Sequence, residues 1–143
     1  MSRSLAREDA FKLIFEMEIT NISAKEAIAY LYETVEKHNE MWAQEFISAS
    51  NRKYIEDIVN GVSENRDELI SKIEPTLKDW TISRISKVNL SILKLAMYEI
   101  CYIDDIPAKV SVNEAVVLAK KYAGKEAASF INGVLGTLIK SIE

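Results

Sequence analysis

Apolar residues recur at three- and four-residue steps along most of the chain, the period of an amphipathic helix. Ala6, Ala10, Leu13, Ile14 and Met17 predict a first helix over about 4–20, with Arg3, Arg7 and Lys12 outside its stripe. Ser23 followed by Glu26 fits a capping box, in which the hydroxyl accepts from an early backbone N–H and the carboxylate reaches back. Ile28, Leu31 and Val35 continue as a second helix, about 24–38. His38 to Ser48 reads as a connection, with room for a helical turn around Trp42 and Phe46. Ser50 or Asn51 is positioned to cap a third helix, whose stripe runs from Ile55 through Ile58, Val59, Val62, Leu69 and Ile70 to Ile73. Gly61 inside it marks close packing, and Pro75 ends or kinks it.

The second half repeats this grammar. Asp79 to Ser86 reads as a short helical turn holding Trp80. Val88, Ile92, Leu93, Ala96, Met97 and Ile100 make a strongly apolar helix over about 87–103, broken by Asp104, Asp105 and Pro107. Ser111 with Glu114 forms a second capping-box pattern before the inward stripe Val112, Ala115, Val116 and Ala119. Gly124 suits a helix C-terminus. Phe130, Val134, Leu135, Leu138 and Ile139 define a last helix, in which Gly133 and Gly136 permit close approach of another backbone. No alternating strand pattern, flexible linker or sequence repeat interrupts the series. The expectation is an all-α fold of about seven helices in two packed helical subdomains, about 1–75 and 76–143, forming one domain over 1–143.

Composition narrows the chemistry. Of 143 residues, 48% are hydrophobic and 28% charged, which is globular and not disordered. One cysteine, Cys101, excludes an intramolecular disulfide or a multi-cysteine metal site, and its apolar helix marks a buried structural thiol. One histidine, His38, sits at a helix end where an imidazolium favours the dipole. Asp104 and Asp105 serve the turn before Pro107. No phosphate loop, nucleophile elbow or zinc-helix motif is present, so neither an enzyme nor a cofactor or metal site is expected. Gly133-Val134-Leu135-Gly136 mimics the glycine loop of KH domains, but it lies in a helical stripe. No apolar run approaches the ~20 residues that span a bilayer. The first residues lack a secretory core, which predicts a cytoplasmic protein without membrane partners.

The net charge of −4 is unevenly spread. Residues 24–75 carry six Lys/Arg against eleven Asp/Glu, a net of −5, whereas residues 106–143 carry five Lys against three Glu, a net of +2. The first twelve residues add Arg3, Arg7 and Lys12. An acidic centre thus separates mildly basic ends, which would make a local basic patch if they met.

Three ordered blocks carry a resemblance. They are Ile92-Leu93-Lys94-Leu95-Ala96-Met97-Tyr98-Glu99, then Ile106-Pro107-Ala108-Lys109-Val110-Ser111-Val112-Asn113-Glu114-Ala115-Val116 with Leu118-Ala119-Lys120, then Phe130-Ile131-Asn132-Gly133-Val134-Leu135. With Arg3, Ala6, Arg7, Ala10 and Leu13 at the N-terminus, the chain closely resembles the NusB family of bacterial transcription antitermination factors. The resemblance covers essentially the whole chain and is strongest over 80–136.

The resemblance implies two helical subdomains and binding of single-stranded boxA RNA in ribosomal RNA leader transcripts. It implies as partners the small-subunit ribosomal protein NusE and the RNA polymerase antitermination complex. It implies a set of RNA-binding residues: Arg3, Arg7, Phe15, Lys87, Asn89, Lys94, Glu126 and Phe130. Cations would neutralise phosphates and the aromatic rings would stack on splayed bases. Lys94 stands where the family often has Arg, and Asn89 where it often has an acidic residue. Asn113, Glu114, Tyr98 and Glu99 are expected to be structural. Arginines are sparser at the N-terminus than in many members, so tight binding is expected to need the ribosomal partner. The rival readings are a protein–protein adaptor and a generic RNA-binding module. The choice between monomer and homodimer stays open.

Overall fold

The computed structural model describes residues 2–38, 48–78 and 81–142, with the backbone alone over 35–38. Among these residues there are seven α-helices and no strand. The chain forms two compact units, Met1–Glu64 and Asn65–Glu143.

The first unit contains α1 (Arg3–Thr20), α2 (Ala24–His38) and α3 (Ala49–Glu64). Each of the three packs against the other two. The Ser2 hydroxyl accepts from the Leu5 N–H at 3.1 Å and caps α1. Asn21 closes it in the left-handed region, φ 59°, a conformation Asn tolerates through local hydrogen bonding. The expected box at α2 forms: Glu26 N–H donates to Ser23 Oγ at 3.1 Å, and Ser23 N–H donates to Glu26 Oε1 at 3.4 Å. The buried stripe follows the predicted period, with Ala6, Ala10, Leu13 and Ile14 from α1, Ala27 and Ile28 from α2, and Ile55, Ile58, Val59 and Val62 from α3. Gly61 is buried within α3.

Two differences concern α3. Ser48, rather than Ser50 or Asn51, receives the early amide: Asn51 N–H donates to Ser48 Oγ at 3.2 Å. Ser50 and Asn51 lie inside the helix, and their side chains are thereby released for another task. The apolar stripe also belongs to two helices. The chain breaks at Asn65, φ −109° and ψ 23°, and restarts as α4 (Arg66–Ile73). The boundary between units accordingly falls at 64/65, ahead of the expected break near Pro75. Pro75 sits in the 3₁₀ turn Glu74–Thr76 that ends α4.

The second unit adds a 3₁₀ turn at Ile82–Arg84, then α5 (Lys87–Tyr102), α6 (Ala108–Ala123) and α7 (Lys125–Ile142). Asp79 and Trp80 of the expected turn, like Trp42 and Phe46, lie outside the described residues. The Ser86 hydroxyl accepts from Asn89 N–H at 3.1 Å and caps α5. Helix α6 packs on α5 and α7, and α5 also meets α4 and α7. Leu90, Ile92, Leu93, Leu95 and Met97 are buried with Leu69, Ile73, Leu118, Ala119, Ile131 and Leu135. Each large apolar side chain removed from water contributes ~1.5–3 kcal/mol.

The second capping box does not form. Helix α6 starts at Ala108, with Pro107 as its N-cap, so Ser111 lies within the helix and is 2% exposed. Its hydroxyl instead donates to Glu99 Oε1 at 2.7 Å, a buried bond from α6 to α5. Val112 and Val116 are half-buried, and the inward positions are Ala115, Leu118 and Ala119. Gly124, φ +97°, ends α6 in a conformation that L side chains rarely adopt. Gly133 and Gly136 lie within α7, but a Cβ built on either meets no atom within 4 Å. The expected close backbone approach there is absent among the described residues. Cys101 is half-buried rather than fully enclosed, and burial pushes its thiol pKa up, as suits an inert thiol.

Candidate nucleic-acid interface

Arg3 and Arg7 lie one turn apart on α1 and meet a residue no motif pointed to, Tyr54 of α3. The Arg3 guanidinium carbon stands 4.7 Å from the centre of the Tyr54 ring, and that of Arg7 stands 5.5 Å from the same ring. Both distances are within the range of cation–π attraction. Arg3 also donates from Nε to Asn51 Oδ1 and from Nη2 to Ser50 Oγ, each at 2.9 Å. Tyr54 and Asn51 are buried, 5% and 6% exposed, whereas Arg3 is exposed. Arg7 is 4% exposed. The two arginines therefore differ in kind: Arg3 faces solvent on a fixed base, and Arg7 forms part of that base.

A second cation–aromatic group joins α3 to α2. Arg52 stands 4.9 Å from the centre of the Tyr32 ring of α2, and the Tyr32 hydroxyl donates to Glu56 Oε1 at 2.6 Å. Burial and the Glu56 carboxylate push the Tyr32 hydroxyl up to about 12. The carboxylate compensates the local cation, so this group is a weaker anion site than Arg3. Phe15 is half-buried against Phe11, with ring centres 6.3 Å apart and tilted by 33°.

In the second unit the expected residues separate into two kinds. Phe130 is half-buried and lines an open groove of about 270 Å³ with Thr76, Leu77, Lys78, Ser129 and Thr137. Its neighbour one turn earlier on α7, Glu126, is exposed. Lys78 places a cation at the same groove as the aromatic ring. Lys87 is exposed in the first turn of α5. Asn89 is half-buried, its amide N–H is taken by the Ser86 cap, and its Oδ1 is buried without a hydrogen-bond partner among the described residues.

Lys94 is the clear departure. It is 1% exposed, between Leu93 and Leu95 on α5. Loss of water pushes its ammonium pKa down to about 8. As placed, Lys94 does not present its charge to a phosphate, because residues 90–97 of α5 are buried on every face of the helix. Sequence reading also missed Tyr54, Asn51 and Ser50 as partners of Arg3. Asn51 and Tyr54 are three apart and share a helix face, but their meeting with α1 is a tertiary event spanning some fifty residues.

The comparisons with known proteins agree with this architecture. The model of the NusB family matches residues 4–140. A transcription antitermination protein NusB from Acetivibrio thermocellus is 46% identical over 140 residues, covering 98% of this chain and 90% of the relative. Another, from Clostridium acetobutylicum, is 47% identical and covers 100% of this chain and 98% of the relative. Among solved structures, T. maritima NusB aligns with a TM-score of 0.82 at 26% identity, over 98% of this chain and 92% of that one. A crystal structure of antitermination factors NusB and NusE in complex with dsRNA aligns with a TM-score of 0.82 at 25% identity, over 99% of both chains. The chain therefore belongs to the NusB family.

Proposed function

We propose that this protein is a transcription antitermination factor that binds boxA-type RNA together with the ribosomal protein NusE. The observation that carries this reading is the family match over residues 4–140, to which relatives named as antitermination proteins add nearly full coverage. The solved complex of NusB and NusE with RNA supports both partner classes. On this reading the protein acts by binding RNA and NusE. Its working place is the cytoplasm, where transcripts are made. No helix among the described residues is long and apolar enough to cross a membrane.

The RNA contacts proposed are Arg3 and Lys87 on phosphates, Phe130 and Phe15 on bases, and Glu126 and Asn89 on base edges. Phe130 beside Lys78 is the combination a single strand needs, a ring face for stacking and a cation for the backbone. Arg7 and Lys94 are left out of the direct contacts because they are 4% and 1% exposed. With Arg3 as the one exposed arginine of α1 and a net charge of −4, the protein alone binds weakly and the pair with NusE binds tightly.

The test is binding to a boxA RNA and a scrambled control at two salt concentrations, with and without NusE. Preference for boxA that sharpens with NusE is expected. Equal binding of both RNAs with NusE present would move the function to a protein–protein adaptor. The burial of two expected cations is the observation that favours that second reading.

A further inference from the structure

We infer that Asn51 and Tyr54 are positioning residues for RNA, and that Arg7 acts through Tyr54 instead of touching a phosphate itself. The inference rests on the RNA-binding reading proposed above and assigns the division of labour within its N-terminal site.

A guanidinium offers five N–H donors in a rigid plane. In Arg3 the Nε–H is taken by Asn51 Oδ1 and one Nη2–H by Ser50 Oγ, so one side edge of the plane is occupied. The Nη1 pair and the outer Nη2–H are not used in these bonds. They form the end edge, whose two parallel N–H groups match the oxygens of a phosphate. The ring of Tyr54 lies 4.7 Å below the guanidinium carbon and limits its tilt. A long, exposed side chain is thus held at its tip by two hydrogen bonds and a ring. Little of its freedom is left to lose when an anion arrives.

Arg7 has the opposite environment. It is 4% exposed and stands 5.5 Å from the same ring. Its place is within the base on which Tyr54 rests. It adds positive potential beneath Arg3 without an open donor edge toward solvent. The cluster therefore supplies one phosphate contact and not two.

Salt dependence separates these roles. Each phosphate contact to a single strand contributes about 0.7 to the slope of log affinity against log salt. The experiment titrates boxA RNA against the protein with NusE present, at four salt concentrations, for wild type, Arg3→Ala, Asn51→Ala, Arg7→Met, Tyr54→Phe and Tyr54→Leu. Arg3→Ala is expected to weaken binding and flatten the slope by about 0.7. Asn51→Ala is expected to weaken binding about three- to tenfold at an unchanged slope, since the contact survives but is no longer pre-set. Tyr54→Phe keeps the ring and rescues what Tyr54→Leu loses. In an Arg3→Ala background, Asn51→Ala is expected to add nothing, a result that a merely structural asparagine would not produce.

Flattening of the slope by Arg7→Met to the same extent as by Arg3→Ala would make Arg7 a direct contact and overturn the inference. So would full additivity of Asn51→Ala with Arg3→Ala. Failure of wild type itself to prefer boxA over a scrambled RNA would instead remove the underlying RNA reading, and the inference with it. Because Asn51→Ala and Tyr54→Phe are small changes, the test does not depend on Tyr54→Leu folding.

Discussion

Arg3 and Lys94 are both cations on helices, and both stand in the family's characteristic blocks, yet they sit in opposite surroundings. Arg3, in the first unit, is exposed and held by Asn51, Ser50 and the Tyr54 ring. Lys94, in the second unit, is 1% exposed, and burial draws its pKa down to about 8. The same contrast extends to their neighbours. The first unit arranges charge against aromatic faces, as Arg52 does on Tyr32. The second also encloses polar side chains between its helices, as in the bond from Ser111 to the buried Glu99. A positive charge in a family block is therefore informative about RNA only after its exposure is known. The first arrangement readies a donor for a ligand. The second ties helices together, and removing one partner of such a buried bond is costly.

The largest expected effect that sharpens this contrast is in the second unit. Ser111→Ala removes the hydroxyl that donates to a fully buried carboxylate at 2.7 Å. A loss of about 1–3 kcal/mol in urea unfolding is expected, with little change in RNA affinity. A loss of RNA binding without loss of stability would place Ser111 in the functional surface instead.

Lys94→Met comes next and is read through its pH dependence. It replaces a buried ammonium with an apolar chain of similar length and so removes the titrating group. Because the folded-state pKa of Lys94 lies below its ordinary value of 10.5, the unfolded chain binds more protons between pH 8 and 10.5. Wild-type stability from this group therefore rises across that window, and the stability of Lys94→Met relative to wild type falls over it. Unfolding measured at pH 7, 9 and 10.5 checks the trend, and a relative stability of Lys94→Met that rises with pH would refute it.

Ser23→Ala breaks the capping box at the start of α2 and is expected to cost about 1 kcal/mol. Thermal unfolding reads that change. Smallest of all, Lys53→Ala removes an exposed pair with Asp57 at 2.6 Å and is expected to leave the urea midpoint unchanged.

Much of the fold was legible because helical period is a local property. The boundaries of α1, α2 and α5 follow from their stripes and punctuation, within a residue or so. The two capping-box patterns show where legibility ends. Ser23 and Glu26 begin a helix, whereas Ser111 and Glu114 have the same spacing inside one, because Pro107 already starts α6. The hydroxyl of Ser111 then serves a partner on another helix. Likewise, the stripe from Ile55 to Ile73 is continuous in sequence, and the break at Asn65 changes the backbone without changing the apolar pattern. Of the candidate site, Phe130 beside a groove and exposed Arg3 and Lys87 were accessible to reasoning by residue type. Tyr54 beneath Arg3 was not, because their contact depends on how α1 and α3 pack. Lys94 was not legible from the pattern: it lies outside the stripe of Val88, Ile92, Leu93, Ala96, Met97 and Ile100, and it is buried because residues 90–97 of α5 are enclosed on every face.

The contrast between the two cations is tested most directly by the salt dependence of boxA binding for Arg3→Ala and Lys94→Met, measured side by side with NusE present. The account predicts that Arg3→Ala flattens the slope by about 0.7 and that Lys94→Met leaves it at the wild-type value. A slope flattened by Lys94→Met and unaltered by Arg3→Ala would contradict it.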